Sequence, residues 1–295
     1  MLDEARTRFT REELAVRYDF SNSNDCKIIE IRLEYSMRLF LFLITVTTFI
    51  QAAPPQGKGY VMTFEDEFNN SVLNPRHWKA QDENRRDARN SPRAVTIQGG
   101  LLTLTTFTEA GKHFTGFVTS SGKFEQSYGY FEAKIRFANA PGMWAAFWMM
   151  PKTYGKSKDP AKATVDGVEI DIVEHLAQFG GTYDTTIHWG GYGPPLQNTR
   201  TKRNKPAHGA NQGWHTYAVR WEPEGYTFYY DDQLAWSAPK EIPVSQAAQH
   251  LLLTCEVKDK GWAGAIPAGG FGSATESKVK MEIDWVRAWK IPAAR

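Results

Sequence analysis

The chain has almost no cysteine and no marked excess of either charge, and each absence excludes a class of protein. Only two cysteines occur in 295 residues, Cys26 and Cys255, so a disulfide-rich scaffold is excluded. The 35 basic and 33 acidic side chains leave a net charge of +2, which provides no global field for binding nucleic acid or a membrane surface. Cys255, in the run LLLTC, is predicted to be a small apolar core residue.

A long membrane-spanning run is also lacking. Arg38 precedes a mostly apolar stretch, 39–50, which is shorter than the roughly 20 residues that a transmembrane helix needs. This layout is typical of a secretory signal peptide. We expect the signal over residues 37–53, cleavage near Ala52 or Ala53, and a secreted or periplasmic protein with no stable membrane anchor.

The polar residues before Met37 conflict with a signal sequence, which works at the N-terminus. We expect that translation starts at Met37 and that residues 1–36 are a mis-annotated leader. The alternative is that Met1 is genuine and that the apolar run is a short anchor. Residues 54–295 are predicted to form a single domain, which we expect to be a monomer.

From about residue 58 onward, no long stretch has helical periodicity. Short runs of alternating or β-branched residues, such as 129–137, 214–221 and 280–289, are separated by Gly, Pro and Asn clusters. This pattern indicates an all-β protein. No Pro- or Ser-rich boundary interrupts it, so the sequence predicts one large sandwich of two antiparallel sheets.

The segment VEIDIVEH carries three acids in a strand pattern. Glu169 and Asp171 lie on one face of a regular strand, whereas Glu174, at an odd spacing from Glu169, would lie on the other. A β-bulge at Ile172 or Val173 inserts one extra residue and would bring all three acids to the same face.

Clustered carboxylates disfavour simultaneous ionisation, which moves their pKa values apart. Glycoside hydrolysis uses this asymmetry, because one carboxylate must be ionised to attack while another stays protonated to donate to the leaving oxygen. From the spacing alone, an exposed acidic strand or a calcium site using the same oxygens stays an alternative.

The flanking sequence resembles glycoside hydrolase family 16, in which Glu-x-Asp-x-x-Glu follows a tryptophan-rich strand. The segment 122–151 is similar to the strand pair that precedes the catalytic strand, 64–69 to the first core strand and 283–290 to the last, so the resemblance covers residues 60–291. It implies a concanavalin-like β-jelly-roll whose concave sheet forms a glycan cleft.

By this resemblance, Glu169 matches the nucleophile, Asp171 the assisting acid and Glu174 the general acid/base of a retaining, endo-acting enzyme. The bulged spacing is more similar to laminarinases, agarases and carrageenases than to lichenases. We expect a polysaccharide substrate, with β-1,3-glucan first. The alternatives are a galactan hydrolase (agarase, porphyranase or carrageenase), favoured by Arg85, Arg86 and Arg89, and a non-catalytic glycan-binding sandwich.

Five further residues are candidate substrate contacts, although a structural role is the general expectation for any single aromatic ring or histidine. Trp144 is favoured as a sugar platform and Trp148 more strongly as core. His188 is expected beside the nucleophile because the family places a histidine there. Trp189 and Tyr192 follow it. The candidates are Trp144, Trp148, His188, Trp189 and Tyr192.

The resemblance implies no catalytic cofactor but allows a structural calcium ion on the convex side, held by Asp284 with Glu65 or Glu67 and completed by carbonyl and water oxygens. His175 directly follows Glu174 and is expected to face away from the cleft. The basic segments 84–89 and 201–205 are expected to be solvated loops, with contact to an acidic glycan as the alternative.

Overall fold

The computed structural model describes Pro54 and residues 59–194 and 196–292, which belong to the compact unit Ala52–Arg295. The predicted leader, 1–36, and signal peptide, 37–53, lie outside the described residues and stay predictions. In the described ranges, no helix has the length and apolar character required to span a bilayer.

Nineteen strands and a few short helices make up the described part of the chain. The strands are β1 Val61–Asp66, β2 Lys79–Ala80, β3 Glu83–Arg85, β4 Ala88–Asn90, β5 Val95–Gln98, β6 Leu101–Thr105, β7 Phe107–Glu109, β8 Lys112–Thr115, β9 Phe117–Thr119, β10 Gly129–Ala138, β11 Met143–Pro151, β12 Glu169–Leu176, β13 Tyr183–Trp189, β14 Asn198–Asn204, β15 His215–Glu222, β16 Gly225–Tyr230, β17 Gln233–Ser237, β18 Gln249–Val257 and β19 Lys280–Lys290. The α-helix α1 spans Ala163–Asp166, and 3₁₀ turns span Pro92–Ala94, Pro160–Lys162, Ala177–Phe179 and Gly261–Ala263.

Two large antiparallel sheets dominate the fold. We call the eight-stranded one the back sheet; its order is β17-β16-β15-β10-β19-β6-β5, with β1 also paired to β19. The seven-stranded one, the cleft sheet, has the order β14-β13-β12-β11-β18-β9-β2. A small third sheet, β3-β4-β8-β7, contains a parallel pair, β4 with β8. The predicted all-β sandwich is confirmed.

Strict alternation along the strands builds the main core between the two large sheets. Side chains two residues apart share a face of a strand, and every second residue of β10 and of β11 is buried in this core. They are Phe131, Ala133, Ile135, Phe137, Met143, Ala145, Phe147 and Met149. Cys255 lies in the same core and is fully buried, as predicted.

The opposite face of β11 forms a separate apolar cluster. Trp144, Ala146 and Trp148 pack there with Leu176 and Leu252 rather than with the main core. The tryptophans are therefore on the outer face of the cleft sheet, where a glycan could reach them.

Candidate active site

A bulge in β12 brings the three acids to one face. In the pairing of β11 with β12, Phe147 is opposite Val173 and the next residue, Trp148, is opposite Asp171, so Ile172 is left without a partner position. Ile172 and Val173 are consecutive residues and both are buried in the main core. The extra residue lets the side chain of Glu174 return to the cleft face, and the predicted bulge is confirmed.

The acids line a cavity of about 510 Å³ on the outer face of the cleft sheet. Four of the five predicted substrate contacts line it too. The predicted residues that reach the cavity are Glu169, Asp171, Glu174, Trp144, Trp148, His188 and Tyr192. The structure thus gathers most of the sequence-predicted site in one place.

Burial raises the pKa values of the three acids above those of ordinary carboxyl groups, and repulsion from neighbouring carboxylates adds to this rise in Asp171 and Glu174. Burial raises the pKa of Glu169 to about 7, although a hydrogen bond from Tyr192 opposes the rise. Burial, with the charge of Glu169, raises the pKa of Glu174 to about 8. The pKa of Asp171 is raised well above its usual range by burial and by the charges of Glu174 and Glu169. A proton can therefore be held in the site at neutral pH, as acid catalysis requires.

His188 lies directly opposite Glu169 in the pairing of β12 with β13. Burial lowers the pKa of its imidazole to about 4, so the ring is neutral at pH 7. Its Nδ1 is 3.1 Å from the amide Nε2 of Gln197, which is a donor. Nδ1 also lies 2.7 Å from the hydroxyl of Thr199, and the other ring nitrogen, Nε2, lies 3.4 Å from Oδ2 of Asp171.

The prediction for Trp189 is wrong. Trp189 packs against the main core and does not line the cavity. The reason is the strand period, because Trp189 directly follows His188 and successive side chains of a strand point to opposite faces. The same rule holds for His175, which is fully buried and stacks on Phe137 at 4.8 Å. As predicted, it faces away from the acids.

A fourth buried acid, Glu256, was missed from the sequence. It is 4% exposed, accepts a hydrogen bond at 2.9 Å from Nε of Arg85 and also pairs with Nε of Arg86. The guanidinium of Arg86 lies 4.6 Å from the ring centre of Trp144, so the predicted platform is covered by a cation. Alternation in β18, where Cys255 faces the core, is the sequence signal that places Glu256 on the cleft face.

Arg203 and Trp262 also line the cavity, and neither was predicted individually. Arg203 makes a two-pronged ion pair with Asp184, at 2.8 and 2.6 Å, and lies over the ring of Phe179 at 3.9 Å. Trp262 is 41% exposed and packs edge-on against Trp144. The expectation of solvated loops is thus wrong for Arg85, Arg86 and Arg203, which line the cavity.

The residues proposed for calcium do not fit that ion. Glu67 pairs with Arg287 at 2.7 Å and Asp284 with Lys134 at 2.8 Å, so both charges are already neutralised, and Glu65 is exposed. Among the residues that the structure describes, the cluster of three potential metal ligands is Glu169, Asp171 and His188. That cluster belongs to the acid centre.

Comparison with known proteins places these features in context. Residues 60–291 match the family model described as "Beta-porphyranase A-D, GH16 domain". The chain is 27% identical over 266 residues to the endo-1,3-1,4-beta-glycanase ExsH of Rhizobium meliloti (strain 1021), a match that covers 78% of this chain and 52% of that relative. The chain therefore spans about half the length of ExsH.

A shorter relative is matched over most of its length. The beta-glucanase of Rhodothermus marinus is 27% identical over 234 residues, which cover 73% of this chain and 80% of the enzyme. The crystal structure of laminarinase from Flavobacterium sp. UMI-01 superposes with a TM-score of 0.64 at 21% identity, covering 78% of this chain and all of the laminarinase. At that identity the superposition establishes the fold, which is the predicted jelly-roll.

Proposed function

The chain belongs to glycoside hydrolase family 16, and we propose on this basis that it is a retaining, endo-acting β-glycan hydrolase. The observation that carries the proposal is the bulge of β12, which brings Glu169, Asp171 and Glu174 to one wall of the cavity. A sandwich that only binds glycan has no need to bury three acids on one wall, and this burial raises the pKa values of all three.

In the proposed first step, Glu169 attacks the anomeric carbon as a carboxylate. The bond from that carbon to the glycosidic oxygen breaks, and Glu174 gives its proton to the departing oxygen. The hydroxyl of Thr186 lies 3.2 Å from Oε2 of Glu174 and orients the carboxyl. The products are a glycosyl ester of Glu169 and a shortened polysaccharide.

In the second step, Glu174 as a carboxylate takes a proton from water, whose oxygen attacks the same carbon and releases Glu169 with net retention. Asp171, whose pKa is raised by burial and by the charges of Glu174 and Glu169, is proposed as the assisting acid. Nε2 of His188 lies 3.4 Å from Oδ2 of Asp171, and both residues line the cavity. Enzymes of this family need no catalytic cofactor, and no calcium is included in the proposal.

The proposed substrate is a β-glucan, with β-1,3-linked glucan first. The relatives support it, because the Rhizobium protein is an endo-1,3-1,4-beta-glycanase and the Rhodothermus protein is a beta-glucanase. Trp148 and the exposed Trp262 supply flat apolar surfaces for sugar rings.

A second candidate is an anionic galactan, which two observations favour. The matching family model is named for β-porphyranases, and Arg85, Arg86 and Arg203 line the cavity. Guanidinium groups bind sulfate oxygens through paired hydrogen bonds. Arg85 and Arg86 are bound to Glu256 through Nε, so their terminal amino groups are available for such a contact.

Export of a monomer is part of the proposal. The charged N-terminal flank and short apolar run at 37–53 are typical of a signal peptide, and a polysaccharide is too large to reach an enzyme inside a cell. Peptide sequencing of the exported protein would identify its first residue, and size-exclusion chromatography with light scattering would give its mass in solution.

The test is release of oligosaccharides by the chain from Pro54 onward, incubated with laminarin, mixed-linkage glucan, agarose, porphyran and carrageenan. Glu169→Gln is the matched variant, because it keeps the size of the side chain and removes the nucleophile. We expect products from one polymer, and none from Glu169→Gln. Binding of a polymer by both proteins without products would refute the hydrolase and support a binding module.

A further inference from the structure

The loop after β13 carries a phenol to the nucleophile. Tyr192 is 56% exposed as a residue, yet its hydroxyl donates a hydrogen bond to Oε2 of Glu169, which is 8% exposed. The ring therefore extends from a surface loop to a buried carboxylate. This contact requires that the loop hold the ring of Tyr192 at a defined distance from Glu169.

Closely packed glycines hold the loop in place. The Cα of Gly191 lies so near Gly155 that a Cβ at Gly155 would be 2.6 Å from it, and a Cβ at Gly190 would be 2.2 Å from the carbonyl oxygen of Leu196. Side chains are excluded at both positions. The ring of Tyr154 packs edge-on against that of Tyr192 at 5.0 Å. The phenol is thus positioned by the protein before any substrate binds.

We propose that Tyr192 is a positioning residue for the nucleophile: it holds Oε2 of Glu169, so that Oε1 is the attacking atom, and it favours the ionised carboxylate. The inference rests on the proposed function, in which Glu169 forms the glycosyl ester. The phenol keeps its proton throughout. It donates to the carboxylate before attack and to the ester carbonyl oxygen afterwards.

The charge environment agrees with this role. Burial and the neighbouring charge of Glu169 raise the pKa of Tyr192 far above its usual range, so the phenol stays a donor. Its hydrogen bond lowers the pKa of Glu169 against the effect of burial. Groups of several elements also act on this carboxylate. The charged and titratable groups around Glu169 are Asp171, Glu174, His188, Glu256, Arg85, Arg86 and Tyr154.

Tyr192→Phe removes the hydroxyl and keeps the ring. Loss of a hydrogen bond to the charged form raises the pKa of a carboxyl group, so we expect the acidic limb of kcat/KM to move up by about one pH unit. The loss is then about tenfold near pH 6 and less than about twofold near pH 8. Tyr229→Phe is the matched control, because Tyr229 lies on β16 of the back sheet and does not line the cavity, and its profile should equal that of the wild type.

A ¹³C NMR titration of the Glu169 carboxyl, assigned with Glu169→Gln, gives a readout that does not depend on turnover. We expect a higher pKa in Tyr192→Phe than in the wild type and in Tyr229→Phe. An unchanged pKa and an unchanged acidic limb would overturn the inference. A wild type that cuts no polymer but shows the shift would refute the proposed function and leave Tyr192 as the group that holds this carboxylate.

Discussion

Glu132 in the back sheet is expected to make the protein less stable as the pH rises. Its side chain is fully buried, and its carboxyl oxygens make no hydrogen bond of good geometry among the described residues, although the hydroxyl of Thr216 lies near enough to lower its pKa somewhat. Burial and the charge of Asp232 raise its pKa to about 8, against the opposing charge of Arg287. The folded protein therefore holds a proton that the unfolded chain releases near the ordinary glutamate pKa of 4.5.

Between these two pKa values the folded state binds more protons than the unfolded state, so the free energy of unfolding falls as the pH rises. Each unit of difference corresponds to about 1.4 kcal/mol, which gives a loss of about 4 kcal/mol between pH 5 and pH 9. Glu132→Gln has a similar shape and no charge to desolvate. We expect it to match the wild type near pH 5 and to melt about 10 °C higher near pH 9.

Thermal melts of both proteins across this range would check the value. Glu282→Gln is the matched control on a neighbouring strand, because Glu282 has hydrogen-bond partners in Arg136 at 2.7 Å and Lys280 at 3.0 Å. Burial alone would raise the pKa of Glu282, but these two partners lower it, so its removal should destabilise equally at pH 5 and pH 9. The reasoning would be refuted if Glu132→Gln changed stability by the same amount at both pH values.

Two predictions concern catalysis. The kcat/KM of the wild type should rise through about pH 7, as Glu169 ionises, and fall above about pH 8, as Glu174 loses its proton; a flat profile from pH 5 to pH 9 would contradict these assignments. Deletion of Ile172 should leave Glu174 four residues after Glu169, an even spacing that keeps both acids on the cleft face of a regular β12, so kcat should stay within about tenfold of the wild type; complete loss of activity in a folded deletion variant would contradict this account of the bulge. Circular dichroism would establish that the deleted form is folded before its rate is measured.

Most of the fold could be predicted because strand patterns are local. Alternation along 129–137 predicted that one face of β10 is buried, and the residues of that face lie in the main core. The order of the strands in each sheet could not be derived in this way. The pairing of β10 with β19 joins segments about 150 residues apart, and no local pattern connects them.

The site shows where local patterns stop being informative. The acids were predictable because Glu169, Asp171 and Glu174 lie on one strand and the bulge follows from their spacing. Glu256 and Arg86 are 170 residues apart in the sequence, so their ion pair exists only in the folded chain. Trp144 was identified as a platform from its own strand, but the guanidinium that covers it comes from the loop between β3 and β4.

This covering of Trp144 has a consequence for the choice between the two substrates. A neutral sugar would have to displace Arg86 from the ring, which would disturb the ion pair of its guanidinium with the buried Glu256. A sulfated sugar could instead accept hydrogen bonds from Arg86 where it already lies, and no ion pair would be broken. Arg86→Ala therefore separates the two candidates: it should free the Trp144 ring and preserve or increase activity on a neutral β-glucan, and it should weaken activity on an anionic galactan.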